Sequence, residues 1–269
     1  MSRPFRPIAL ALLVTVALAG GGVAAQEPPQ SAAELAALKK EIQDLKAMLL
    51  AVQKDVQETK AILQKVTQPQ QPRGPVTDAP SVEFSVAGAP AKGSRGATVA
   101  VIEFSDYQCP FCSRYATQTW PQVNKDYVES GKVQYFFVNY PIEQIHPHAF
   151  KAHEAASCAA EQDKYWEMHD RLFGNQSLLA PAELTKHAAA IGLDMAKFQP
   201  CLDSGRTADL IRKDLARSQK IGVTGTPAFL IGTIEPNGTT VKGLKMIAGA
   251  QPFTVLKPVI DEALGSNRR

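Results

Sequence analysis

The chain of 269 residues carries 29 lysines and arginines against 26 acidic side chains, a formal charge of +3, and only four cysteines. That near balance argues against nucleic acid as a partner, because phosphate binding needs a clustered positive excess. The length suits one domain with an appendage rather than several domains.

In chain order the first element is an address. Arg3 and Arg6 precede an apolar run from Ile8 to Ala19, and small residues follow, with Val23-Ala24-Ala25 before Gln26. This is the layout of a secretory signal peptide over 1–25, with cleavage expected after Ala25. The alternative is an uncleaved membrane anchor, for which the apolar core is short against the span of about 20 residues required. Cleavage removes two arginines and no acid, leaving 27 basic against 26 acidic residues. An exported, periplasmic chain meets oxidising conditions, where disulfide chemistry is the first reading of a cysteine.

Residues 26–66 are expected to hold a coiled-coil oligomerisation helix. The stretch 31–66 contains neither Gly nor Pro, and its apolar residues recur at steps of three and four. Leu35, Ile42, Leu49, Val56 and Leu63 take heptad position a, and Leu38, Leu45, Val52, Thr59 and Val66 take d. A seam this narrow fits a left-handed coiled coil; a lone helix folded back on its own domain is the alternative. Glu41 at g precedes Lys46 at e, and Asp55 precedes Lys60 likewise, so a parallel homo-oligomer brings opposite charges together. Met48 and Ile62 at g widen the stripe, which favours a trimer over a dimer. The Pro- and Gln-rich segment 67–80 reads as an extended spacer.

The remainder alternates strand and helix patterns and belongs to the α/β class. Strands are expected over 82–86, 97–104, 133–141, 226–232 and 241–250. One helix should follow the second strand, kinked near Pro121. A helical block is expected over 142–222, including an unbroken helix over 152–173. The domain plan is thus 81–141 with 223–269 around an inserted 142–222.

Cys109-Pro110-Phe111-Cys112 sits between the 97–104 strand and the helix after it. Such a pair can be half of a metal site, a structural clasp, or a disulfide that opens and closes. Zinc needs two further ligands, and His146, His148, His153, His169 and His187 form no matching ligand pattern, so no metal is expected. At the first turn of a helix, unpaired N–H groups and the dipole favour thiolate, which makes Cys109 the attacking sulfur and Cys112 the resolving one. Pro110 suits the first helical position, where its missing N–H is no loss.

EFSDYQCPFC (103–112), the helical insertion and the late GTPAF (225–229) resemble the DsbA-like branch of the thioredoxin-fold thiol-disulfide oxidoreductases. The resemblance covers roughly 82–265 and implies a thioredoxin fold with an inserted helical domain, preceded here by the coiled-coil helix. It implies that Glu103, six residues before Cys109, accepts a proton from the resolving thiol. It also implies a cis Thr226-Pro227 beside the dithiol, whose Thr226 backbone binds an extended substrate segment by strand addition. The cofactor would be the Cys109/Cys112 disulfide itself, with cysteine-containing exported proteins as substrates and a membrane redox partner. Cys158 and Cys201 are expected to form a structural disulfide, with two buried free thiols as the alternative. Phe111, uncharged between the cysteines, leaves the thiolate less stabilised than a histidine would, and each pKa unit forgone is about 30 mV of oxidising power. A middling potential and an oligomeric stalk resemble the ScsC-type disulfide isomerases. Isomerase or reductase activity is therefore expected ahead of a dithiol oxidase, and a holdase without chemistry is the remote alternative.

Overall fold

The computed structural model describes residues 32–67 and 75–266. The leader expected over 1–25 and residues 68–74 of the expected spacer lie outside the described residues. The chain separates into two units, with the boundary between Pro69 and Gln70.

The first unit is helix α1 (Ala32–Thr67), 36 residues long, which at 1.5 Å per residue rises about 54 Å. No Gly or Pro interrupts its backbone hydrogen bonds, and its Ala, Leu, Lys, Gln and Glu are good helix formers. The apolar residues at a and d stay uncovered in the single chain: Leu35, Leu38, Ile42, Leu45, Leu49, Val52 and Val56 are all exposed. Thr59, the polar break in the seam, returns its Oγ1 proton to the Asp55 carbonyl at 2.7 Å, so the break is satisfied within its own helix.

The second unit opens with three short strands, β1 (Val76–Asp78), β2 (Glu83–Ser85) and β3 (Ala91–Lys92), before the long β4 (Val99–Ser105). A helical run over 110–128 follows, built from α2 (Pro110–Arg114) and α3 (Trp120–Val123) with wide π turns at Tyr115–Thr119 and Asn124–Val128. Next come β5 (Val133–Asn139) and the helices α4 (Ala149–Ala160), α5 (Tyr165–Gly174), α6 (Pro181–Ala190), α7 (Met195–Ser204) and α8 (Ala208–Lys220). The chain closes with β6 (Ala228–Ile234), β7 (Thr240–Ala248) and α9 (Phe253–Ser266).

Among the described residues these strands form one seven-stranded sheet in the order β1-β7-β6-β4-β5-β3, with β2 also paired to β7. β4 runs parallel to β5 and antiparallel to β6. All seven of its residues are buried, as expected of a central strand covered on both faces. Strand alternation then sorts them: Val99 and Val101 join the core against α3 and α9, whereas Ala100, Ile102 and Phe104 join the core on the opposite face. Glu103 shares the parity of Val99 and Val101, which directs it to the side where the helical run begins. Cys109 and Cys112 belong instead to a third core that includes Met168, Leu172 and Phe198 of the insertion. The dithiol thus sits where sheet and helical block meet.

Several elements depart from the sequence expectation. Residues 76–78, inside the expected spacer, pair with β7 in the register Val76↔Ile247 to Asp78↔Lys245, so the sheet begins earlier than its composition suggests. The helix expected over 152–173 breaks after Ala160, where Asp163 takes φ 58; Asp tolerates this left-handed conformation because its side chain can bond locally. Helix α7 is not among the helices named within the expected 142–222 block, and it carries Pro200 in its interior. Asp194 nevertheless caps it by accepting from Ala196 N at 2.9 Å, and Gly205, φ 62, ends it in the left-handed conformation. Pro121 falls in the first turn of α3 just after a wide turn, which absorbs the carbonyl clash a proline makes in a regular helix.

Candidate active site

Cys109 occupies the N-cap of α2 with extended backbone (φ −71, ψ 121), and Pro110 follows within the first turn. The loop before it is held tightly. Asp106, fully buried, accepts from Gln108 N at 2.7 Å through Oδ1, and from Ile142 N and His146 Nδ1, each at 2.8 Å, through Oδ2. Gln176 donates through Nε2 to the carbonyls of Tyr107 (2.7 Å) and Cys109 (2.9 Å), and His148 N donates to Gln108 Oε1 at 2.7 Å. The segments just before α4 and just after α5 therefore fix the cysteine loop. Asp106, Gln108, His146 and Gln176 carry no motif, so sequence reasoning missed them as site residues; Asp106 and Gln108 fall inside EFSDYQCPFC without a role, and His146 enters only as a candidate metal ligand.

Cys109 and Cys112 are unbridged. Cys109 retains 4% of its surface and Cys112 none, so an incoming sulfur reaches Cys109 first. The Cys112 thiol donates to Cys109. That bond, with help from Thr226 and the backbone N–H groups of Cys112 and Phe111, outweighs burial and lowers the Cys109 thiol to about 6. Burial drives the Cys112 thiol the other way, well above the ordinary thiol range, and negative charge on Cys109 and Glu103 adds to this. The two sulfurs thus differ in acidity and in access.

Glu103, 2% exposed, lies beneath them. Burial raises its carboxyl to about 7, even though the Tyr135 hydroxyl donates to Oε2. A carboxyl poised near neutrality can take and return a proton at physiological pH. Thr226-Pro227 is cis, and the Thr226 carbonyl stands 3.5 Å from Cys109 Sγ. Phe111 is 54% exposed beside Cys109, with the Arg114 guanidinium 5.2 Å from its ring centroid. A groove lined by Arg114, Tyr115, Gln118, Gln122, Ala250 and Phe253 runs alongside. The sequence-predicted residues Glu103, Cys109, Pro110, Phe111, Cys112, Thr226 and Pro227 are therefore gathered at one end of β4.

Cys158 and Cys201 are disulfide-bonded to each other, between α4 and α7, in the same core that holds the dithiol. Among the described residues, no group of three or more His, Cys, Asp or Glu side chains could hold a metal ion. Among the same residues, no helix is long and apolar enough to cross a membrane.

Residues 85–247 match the family described as thioredoxin. The Na(+)/H(+) antiporter NhaA 3 of Salinispora tropica is 38% identical over 140 residues, 52% of this chain and 21% of the antiporter. The chain thus spans about a fifth of the length of that relative. Disulfide bond formation protein D of Bacillus subtilis is 29% identical over 168 residues, 57% of this chain and 72% of that protein. Among solved structures, oxidised BdbD from Bacillus subtilis superposes with a TM-score of 0.58 at 26% identity, covering 70% of this chain and 100% of that one.

Proposed function

The chain belongs to the thioredoxin family, and from that membership we propose that it is a periplasmic thiol-disulfide oxidoreductase acting on exported proteins through Cys109 and Cys112. One observation carries the proposal: a low-pKa sulfur at a helix start, reachable from outside, backed by a buried thiol that donates to it and by a buried carboxyl.

The Cys109 thiolate attacks a substrate disulfide. A Cys109–substrate bond forms, the substrate S–S bond breaks, and one substrate sulfur leaves as thiolate. In isomerisation that thiolate attacks elsewhere in the substrate, and the final substrate thiolate displaces Cys109 with no net change in oxidation. In reduction Glu103 takes the Cys112 proton and the Cys112 thiolate attacks Cys109 Sγ. The site is left as a disulfide and the substrate as a dithiol, two electrons richer. A membrane redox partner would then reset the dithiol. The Thr226 backbone, adjacent to Cys109, is the proposed strand-addition site for the substrate.

Isomerase or reductase activity is our preferred direction, supported by the uncovered apolar seam of α1, which several chains would bury in a parallel coiled coil with three favoured over two. The opposing reading, a dithiol oxidase, draws on the similarity to disulfide bond formation protein D. The decisive assay compares repair of a scrambled-disulfide substrate with oxidation of a reduced one. Repair at the higher rate supports isomerisation, and oxidation alone supports the oxidase. In parallel, Cys112→Ser is expected to accumulate mixed disulfides on Cys109 in non-reducing gels, and their absence rejects Cys109 as nucleophile. Unchanged behaviour of Cys109→Ser would leave only a holdase.

A further inference from the structure

The reaction above uses Glu103 as a bare carboxyl, but its two oxygens are held differently. Tyr135 on β5 donates its hydroxyl proton to Oε2, and the Tyr115 hydroxyl, in the first π turn, stands 3.2 Å from the Tyr135 hydroxyl. With the Tyr135 proton committed to the carboxyl, that second contact runs from Tyr115 as donor to the Tyr135 oxygen as acceptor. Tyr115 and Tyr135 are each 1% exposed. Their rings are packed against Phe229 and Trp120, with centroids 4.5 Å and 4.2 Å apart, which restricts where the hydroxyls can point. Oε1, in contrast, has no formed hydrogen bond among the described residues, and the other hydroxyl that acts on the carboxyl is that of Ser105, two residues along the same strand. The groups acting on Glu103 are Tyr135, Ser105 of its own strand and charge on Cys109; none is a cation. Negative charge on Glu103 in turn acts on Cys112 and Tyr115.

Resting on the oxidoreductase reading, we propose that Tyr135, backed by Tyr115, is a positioning residue whose hydroxyl ties down Oε2 of Glu103 and leaves Oε1 as the oxygen that takes the Cys112 proton. The step concerned is resolution of the mixed disulfide. The Cys112 S–H bond breaks, its proton passes to Oε1, and the Cys112 thiolate forms a bond to Cys109 Sγ while the substrate sulfur leaves with the bonding pair. Glu103 must be a carboxylate to take that proton. A buried carboxylate that loses a hydrogen-bond donor binds protons more tightly, so losing the Tyr135 hydroxyl reduces the reactive fraction near neutrality.

Stopped-flow reaction of the full-length dithiol protein with dithiobis(nitrobenzoate) separates the steps. The first thionitrobenzoate released reports Cys109 attack, and the second reports displacement by Cys112. Tyr135→Phe keeps the ring and removes only the hydroxyl. The expected result is a second phase slowed about fivefold at pH 7, with its pH profile moved upward by about one unit, while the first phase keeps its rate and profile. Tyr115→Phe is expected to move the second phase the same way by less, and it decides the matter if Tyr135→Phe does not fold. Second-phase profiles that superimpose on the parent's overturn the positioning role while leaving the oxidoreductase reading intact. A parent that shows no second phase, with Cys109→Ser and Cys112→Ser reacting alike, overturns both.

Discussion

Cys109 and Glu103 pull the stability of the dithiol protein in opposite directions as pH changes. The fold lowers the Cys109 thiol to about 6, so its contribution is present above the unfolded thiol value and is lost as pH falls through about 6. The fold raises the Glu103 carboxyl from 4.5 to about 7, so the folded chain holds an extra proton between those values. Its contribution is complete below pH 4.5 and is lost as pH rises through about 7. Glu103→Gln removes the charge while keeping a partner for the Tyr135 hydroxyl. The variant should be more stable than the parent at pH 8, by up to about 3 kcal/mol, with the difference closing toward pH 4.5. Urea unfolding of the reduced proteins at the two pH values checks this, and equal midpoints at pH 8 reject a carboxyl destabilised by burial. The site was partly legible at this scale. The Cys109/Cys112 spacing marks the thiols, and the resemblance points to Glu103, but Tyr115 and Tyr135 read only as core aromatics. Their hydroxyls gain a role through strand register and helix packing, which no local pattern encodes.

Among the elements, the helical insertion depends most on its staple. Cys158 on α4 and Cys201 on α7 are 43 residues apart and both are buried. Closing a loop of that length stabilises by about 4 kcal/mol on the chain-entropy model. Cys158→Ala with Cys201→Ala is therefore expected to lower stability by up to that amount in denaturant titrations, while the Cys109 thiolate titrates unchanged. A Cys109 titration that moves with the staple would mean that the insertion transmits strain to the dithiol. Periodicity identified the long elements, because burial of one face repeats in the sequence. It missed α7, where a local Asp194 cap favours the helix and Pro200 inside it argues against one, and β1, whose three residues gain strand structure only by pairing with β7.

For the whole molecule, α1 and the catalytic unit are separable by their contacts. An apolar seam exposed from Leu35 to Val56 is costly in water and would be relieved by burial against further copies. A chain lacking residues 31–66 is expected to be monomeric by light scattering, whereas the chain with them is an oligomer; equal masses per chain reject the coiled coil. If oligomerisation confers isomerisation, the shortened protein loses scrambled-substrate repair and keeps dithiol oxidation. Repair retained without the helix assigns that activity to the single catalytic unit.

The sequence by itself determined the α/β class, the redox-type spacing of Cys109 and Cys112, and the heptad stripe of α1. Each is a local pattern whose physical cause lies within a few turns or one strand. Only the tertiary structure decided that Glu103 sits nine-tenths or more buried under the dithiol, that Thr226 stands 3.5 Å from Cys109, and that Asp106 and Gln176 hold the cysteine loop. Those contacts join residues up to 117 positions apart, and their energies come from shared burial and oriented polar groups that exist only once the sheet and the helical block have packed together.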